Sequence, residues 1–213
     1  SKLRAGALRV DRRDCDVATI FAAVHPIVDS RAAATKIQWV EDIEPGIPNV
    51  FADGEKASRV LVNLIVNAIK FSPEGSRIVV SASKDGDGDV RISVTDQGPG
   101  ISPENLTLIF DRFQQVGNSP TGSKGFGLGL NIAKQLVSLN LGQMSVFSEL
   151  QQGSTFSFTL PTNNPSIITA RLFRYLEKQN TPSGAFAVLR VTPENTGATT
   201  TALRGFLACS LQP

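Results

Sequence analysis

The stretch from Asp53 to Phe71, DGEKASRVLVNLIVNAIKF, constrains the fold more than any other part of this chain. Placed on a helix at about 100° per residue, Val60, Leu61, Leu64, Ile65, Ala68 and Ile69 cover one broad face. Val62 and Val66 carry the apolar surface around the back. Only Lys56, Arg59, Asn63, Asn67 and Lys70 interrupt it, and they fall within about 80° of one another. A helix apolar around nearly all of its circumference has to be buried. Its polar edge therefore either faces a water-filled cleft or satisfies neighbouring loops inside a core, and the helix alone does not choose between them. Asp53 is placed to cap it.

Around this helix the chain supplies enough apolar residues for one domain, or one domain and a fragment of another. Of 213 residues, 41% are hydrophobic and 19% charged, which argues against disorder. With 21 basic and 19 acidic residues the net charge is +2, so no general attraction to nucleic acid or membrane is expected. Cys15 and Cys209 lie far apart, form no metal-ligand pattern and suit a reducing cytoplasm. No signal peptide is visible, and no apolar run approaches the ~18 residues of a membrane span. A chain that opens on Ser-Lys reads as a piece cut from a longer protein.

The flanking elements follow from periodicity. After a short basic stub, Leu8 to Val10 reads as a strand. Asp16 suits the N-cap of one helix running to about Thr35, with Val17, Ile20, Phe21, Val24, Ile27 and Val28 on its apolar face. His25, the sole histidine, sits at the edge of that face, where packing outweighs a phosphoacceptor or ligand role. Ile37 to Val40 and Val50 to Ala52 read as short strands. Residues 77–84 and 90–95 alternate strictly, and Asp85-Gly86-Asp87-Gly88 between them is hairpin chemistry. A calcium loop would need further ligands and a closing glutamate. A short helix begins near Ser102, and a loop over 114–129 runs into a helix that repeats Leu130, Ala133, Leu136 and Val137 and stops near Asn140. Strands over about 143–148 and 154–160 complete the pattern, and PTNNP, ending at Pro165, reads as a linker. Beyond it, Ile168, Leu172, Tyr175 and Leu176 give a helical stripe, 186–191 a strand and 199–211 a helix. That piece is too small to bury much by itself. It either packs on the main domain or begins another.

Two glycine clusters suggest chemistry. Asp96-Gln97-Gly98-Pro99-Gly100 ends a buried strand with a carboxylate able to accept from an exocyclic amine such as that of adenine, and with glycines that let backbone approach a ligand. A strand-ending turn explains it equally. Gly125-Phe126-Gly127-Leu128-Gly129-Leu130 opens a helix, where free amides and the helix dipole favour an anion, but a flexible turn also fits. No Gly-Lys-Ser/Thr occurs, so there is no P-loop, and the Gly-x-Gly-x-Gly spacing is not the dinucleotide fingerprint.

Taken in order, these elements strongly resemble the ATP-binding domain of two-component sensor histidine kinases, in the gyrase, chaperone, kinase and mismatch-repair superfamily. NLIVNAIKF looks like the N box, DQGPG the first glycine box, FDRF the F box and GFGLGL the second glycine box, while GSTFSFTLP resembles the closing strand. The resemblance implies an α/β (α+β) two-layer sandwich, with a mixed, mostly antiparallel sheet on about three helices and a lid over ATP. It places the end of a dimerisation helix at residues 1–6, the ATP-binding domain at 7–161 and a linker at 162–165. The piece at 166–213 is faintly similar to the start of a diguanylate-cyclase-like domain. It implies that Asn67 binds the Mg²⁺ bridging the ATP phosphates, a role an amide oxygen suits. Asn63 would support that phosphate–metal site and Lys70 would reach phosphate, which makes these two the catalytic candidates. Asp96 would accept from the adenine amine, with Gly98 and Gly100 at the pocket floor. Phe110 and Phe113 would anchor the lid, Lys124, Gly125, Gly127, Leu128, Gly129 and Leu130 would close over the triphosphate, and Ser154 and Thr155 would line the adenine end.

Two departures matter. Relatives that hydrolyse ATP carry a Glu one turn before the metal Asn as general base on water. Here that position is Asn63, which cannot take a proton at neutral pH. That favours phosphotransfer over hydrolysis. Phe126 stands where a small hydroxyl residue is commoner, which bears on hydrogen bonding in the lid. The resemblance also implies an acceptor histidine on a preceding dimerisation domain, a response-regulator partner and a homodimeric full-length protein; the location expected is cytoplasmic, with a membrane anchor on the full-length protein left open. His25 lies inside the ATP-binding domain and is not that acceptor. A degenerate kinase used as a nucleotide-binding module, and a serine kinase of the anti-sigma type, are the alternative readings.

Overall fold

A computed structural model describes residues 10–86, 88–111 and 128–178. Its five-stranded sheet runs β2 (Gln38–Ile43), β4 (Arg77–Asp85), β5 (Asp89–Asp96), β7 (Gly153–Pro161), β6 (Met144–Glu149) in spatial order. β2 is parallel to β4 and the other pairs are antiparallel. The parallel pair is joined through β3 (Val50–Ala52) and α3 (Gly54–Phe71), the crossover that a parallel connection needs. A separate two-stranded ribbon pairs β1 (Arg13–Cys15) with β3. One face of the sheet carries α3, flanked by α1 (Val17–Ala22), α2 (His25–Ala34) and α5 (Gly129–Leu139), and the expected short helix after Ser102 is the single turn α4 (Pro103–Leu106). This is the expected mixed α/β sandwich.

Strand alternation builds the core. Ile78, Val80 and Ala82, then Val90, Ile92 and Val94, then Phe156, Phe158 and Leu160 turn one way and are buried. They meet Leu61, Leu64, Ile65 and Ala68 of α3, while Ala133, Leu136 and Val137 of α5 complete the cluster. α1 and α2 add Val17, Ile20, Phe21, Val24 and Val28.

The expected single helix over 16–35 is two. α1 is capped by Asp16, whose Oδ1 accepts from Ala18 N at 2.9 Å, and it closes in a turn where Val24 N reaches only back to Phe21 O. Pro26 has no N–H for the ladder, so it occupies the first turn of a new helix. Leu8 and Arg9 of the expected first strand lie outside the described residues. The strand that forms is β1, which lacks any apolar alternation and is held by pairing with β3.

The loop after β7 is tied down, because Thr162 bridges Val50 and Asn163 N donates to Asn49 O. α6 (Pro165–Lys178) then packs on the β4–β5 hairpin. Arg171 Nη2 donates to Asp89 Oδ2 at 2.5 Å, and Ile167 sits so close to Gly88 that a Cβ there would lie 2.2 Å from its Cδ1. Asp85 is likewise engaged, by Arg91 at 2.7 Å, so two hairpin carboxylates pair with arginines rather than with a metal ion. The strand and helix expected over 186–191 and 199–211 lie outside the described residues, as does Cys209. Among the described residues no helix is long and apolar enough to cross a membrane.

Asp53 starts α3. Its Oδ1 accepts from Lys56 N at 3.1 Å and its Oδ2 from Asp11 N at 3.0 Å and Lys56 Nζ at 2.6 Å. Burial pushes this carboxyl up, but the Lys56 ammonium and the two amides outweigh burial and leave it below the usual range. A depressed folded value means the contribution is present above the unfolded carboxylate range and is lost as pH falls through the folded value. Asp53→Ala should cost about 1–2 kcal/mol in denaturant melts at pH 7. The gap to wild type should close as the melts are taken into acid, and a constant gap would contradict this account.

Candidate nucleotide site

The polar edge of α3 divides along its length. Lys56 is committed to Asp53, and Arg59 borders the groove between β1, α1 and α3. The five residues therefore do not share one environment, because helical angle places side chains around an axis and not along it. Asn63, Asn67 and Lys70 remain. Asn63 lies under the start of α5, where a Cβ on Gly129 would fall 2.5 Å from its Oδ1. Its Nδ2 is buried with no hydrogen-bond partner among the described residues. One turn on, the Asn67 side chain is half-buried. Lys70 places Nζ 5.1 Å from the Phe71 ring centroid.

The other end of the site is built by strand ends. Asp96 closes β5 opposite Ser154 of β7 and is 6% exposed. Its Oδ1 accepts from Gly98 N at 2.8 Å and Ser154 N at 3.3 Å, which leaves Oδ2 with capacity for a ligand donor. Burial pushes the carboxyl up against the lowering effect of those two amides. Ser154 Oγ lies 2.9 Å from Ser148 Oγ. Thr155 does not join this end. It points to the opposite face, with Oγ1 3.0 Å from Thr95 Oγ1, because neighbouring strand residues turn to opposite sides.

The glycines of the first box serve protein contacts rather than ligand approach alone. A Cβ on Gly98 would lie 2.9 Å from Asp96 Oδ1 and 3.0 Å from Phe71 O. Gly100, at φ +70°, presses on the β6–β7 turn, where a Cβ would fall 2.0 Å from Glu149 O. At the second box, Leu128 is the N-cap residue of α5, Gly129 opens the helix, and Leu130 packs on the core. Phe110 packs on the same core. Phe113, Lys124, Gly125, Phe126 and Gly127 lie outside the described residues. Sequence reading did not single out Asn131, whose Nδ2 donates to Phe110 O at 2.9 Å. A carboxamide in the first turn of the glycine-box helix was the available signal.

A buried carboxylate at the strand ends, an amide edge on a core helix and a glycine-opened helix above it define a nucleotide-binding α/β sandwich. The sequence profile of the histidine kinase-, DNA gyrase B-, and HSP90-like ATPases matches residues 52–164. The chain belongs to that family, as an ATP-binding catalytic domain of the histidine kinase type. It is 33% identical over 155 residues to the adaptive-response sensory kinase SasA of Synechococcus elongatus, covering 73% of this chain and 40% of that protein. Against SasA of Gloeothece citriformis it is 40% identical over 121 residues, 57% of this chain and 30% of that protein. It therefore spans roughly two fifths or less of these relatives. Among solved structures, the mycobacterial sensor histidine kinase MprB superposes with TM-score 0.63 at 28% identity, over 71% of this chain and 98% of that one. Full-length ShkA in complex with AMPPNP superposes with TM-score 0.65 at 27% identity, over 94% of this chain and 44% of that one.

The residues present fit Mg·ATP. Among the described residues no three His, Cys, Asp or Glu side chains gather as a metal cage, and Mg²⁺ on nucleotides needs only one or two protein oxygens beside phosphate and water. The Asn67 amide oxygen can be one. The unpaired Asn63 amino group can serve a phosphate oxygen.

Because the folded chain holds the Asp96 proton more tightly than the unfolded chain, its charge lowers stability near neutrality. That penalty is absent below the unfolded carboxylate range and grows as pH rises through the folded value. Asp96→Asn, which keeps an acceptor for Gly98 and Ser154, should preserve or raise the thermal midpoint at pH 7 and flatten its decline above the carboxylate range. A clear fall in the midpoint would show that the charge stabilises the fold.

Proposed function

We propose that this chain is the ATP-holding half of a sensor histidine kinase. It would present the γ-phosphoryl group to a histidine on a dimerisation domain of the longer protein, normally a homodimer, from which a response regulator is phosphorylated. The observation that carries the reading is Asn63: the residue one turn before Asn67 is a carboxamide, held under Gly129, where a hydrolase needs a carboxylate to deprotonate water. ATP is thus kept for another nucleophile.

In the proposed arrangement Asp96 accepts from the adenine amine, Lys70 and the opening amides of α5 draw the phosphates, and Asn67 contributes an oxygen to Mg²⁺. Mg²⁺ held there would neutralise charge on the phosphates. An imidazole nitrogen of the acceptor attacks the γ-phosphorus, a P–N bond forms as the β–γ bridging P–O bond breaks, ADP leaves, and the imidazole proton passes to a base outside this chain. His25 is not taken as the acceptor because it lies inside the ATP-binding domain itself, on α2 beside Asp29 and Glu41. The neighbour ShkA was solved with AMPPNP, which supports an ATP-type ligand here.

Calorimetric titration should give a Kd for Mg·ATP between micromolar and millimolar, weakened about tenfold or more by Asn67→Ala and by Asp96→Ala. Unchanged isotherms in both variants would refute the site. Radiolabel should pass from γ-labelled ATP to an added histidine-bearing dimerisation domain faster than free phosphate appears. Free phosphate as the main product would point to hydrolysis instead.

A further inference from the structure

We propose that Asn131 is a positioning residue for the phosphate end of the site, fixing the first turn of α5 through the Phe110 carbonyl. The inference rests on the nucleotide-site reading above. Asn131 Nδ2 donates to Phe110 O at 2.9 Å, across 21 residues of sequence. The orientation of its carboxamide is set from behind, because Gln135 Nε2 donates to Asn131 Oδ1 at 2.9 Å. The oxygen is thus taken, and the amino group is the part that faces Phe110. Lys134 adds a second tie, with Nζ 5.1 Å from the Phe110 ring centroid. Phe110 itself is packed against the core, so this side of α5 is tied to the core through it.

Two residues before Asn131, Gly129 rests on the Asn63 amide, where a Cβ would fall 2.5 Å from Oδ1. A small rotation of the first turn would move both the opening amides of α5 and the contact that holds Asn63. The opposite end of the site is built from Asp96 on β5, Gly98 just after it and Ser154 on β7, none of which bonds Asn131. The role therefore has a signature that general stabilisation lacks: affinity carried by the phosphates should fall, and affinity carried by the adenine should not.

The test compares wild type, Asn131→Leu and Gln135→Leu as full chains, with thermal midpoints recorded first. Asn131→Leu keeps the side-chain shape without adding charge. Gln135→Leu, on an exposed position, removes only the orienting donor and serves if Asn131→Leu proves unstable. Mg·ATP binding should weaken about tenfold in Asn131→Leu and about threefold in Gln135→Leu, while adenosine binding followed by NMR titration changes less than about twofold. Equal losses for ATP and adenosine would reduce Asn131 to a structural residue and overturn the proposal. Unchanged ATP affinity would also overturn it, and the site reading would still stand if Asn67→Ala and Asp96→Ala lose ATP. A wild-type chain that binds no Mg·ATP would overturn the site reading and this inference together.

Discussion

The structure depends on one buried polar junction. Asn140 is fully buried, its Oδ1 accepts from Asp53 N at 2.7 Å and its Nδ2 donates to Leu136 O at 3.1 Å. Asp53 in turn caps α3 and takes the Asp11 amide. The beginning of α3 and the end of α5 therefore share a node in which each group, left unpaired, would cost about 1–3 kcal/mol. Neither helix can slide along the other without breaking it. Apolar packing between α3 and α5 is tolerant of small shifts, whereas this node is not. It sets the axial register that brings Gly129 onto Asn63 at the far end of α5.

Much of this was legible in the sequence, and the reason is periodicity. Val60, Leu64 and Ile65 could only be a core face, and Val90, Ile92 and Val94 could only alternate against it. What escaped was whatever depends on distant partners or on position along an axis. β1 is three residues, Arg-Asp-Cys, with no pattern of its own, and it exists because β3 lies beside it. Pro26 cannot extend the ladder of α1, which closes at Ala22, and it sits in the first turn of α2 instead. Lys56 and Arg59 shared an angle with Asn63 but not a height. Thr155 was misplaced by a single step of strand parity.

The glycine boxes show a subtler limit. Their spacing reported that backbone comes close to something, and a ligand was the natural partner. For Gly100 the partner is the Glu149 carbonyl of the β6–β7 turn, and for Gly129 it is the Asn63 side chain. These glycines shape the site by letting protein elements interlock around it. A pattern that looks like direct recognition is in part a packing requirement one layer behind it, which explains why Asn131, outside any box, belongs with them.

The two halves of α3 then differ in kind. Its first turn is saturated, with Asp53, Lys56, Asp11 and Asn140 satisfying one another. Along its later turns the demands go unmet: Asn63 Nδ2 is buried without a partner among the described residues, as are Ser72 Oγ and Ser76 Oγ just beyond the helix end. Asp96, across the site, is a carboxylate made more costly by burial. Unpaired polar groups and a penalised charge lower stability wherever they stand, and a sequence selected for folding alone would remove them. Asn63 and Asp96 are the two of these that border the proposed nucleotide site, so a ligand there would find both with capacity left. In the proposed arrangement a nucleotide would supply partners for Asn63 and Asp96, while the node at Asp53 and Asn140 holds the other end of the helix in place.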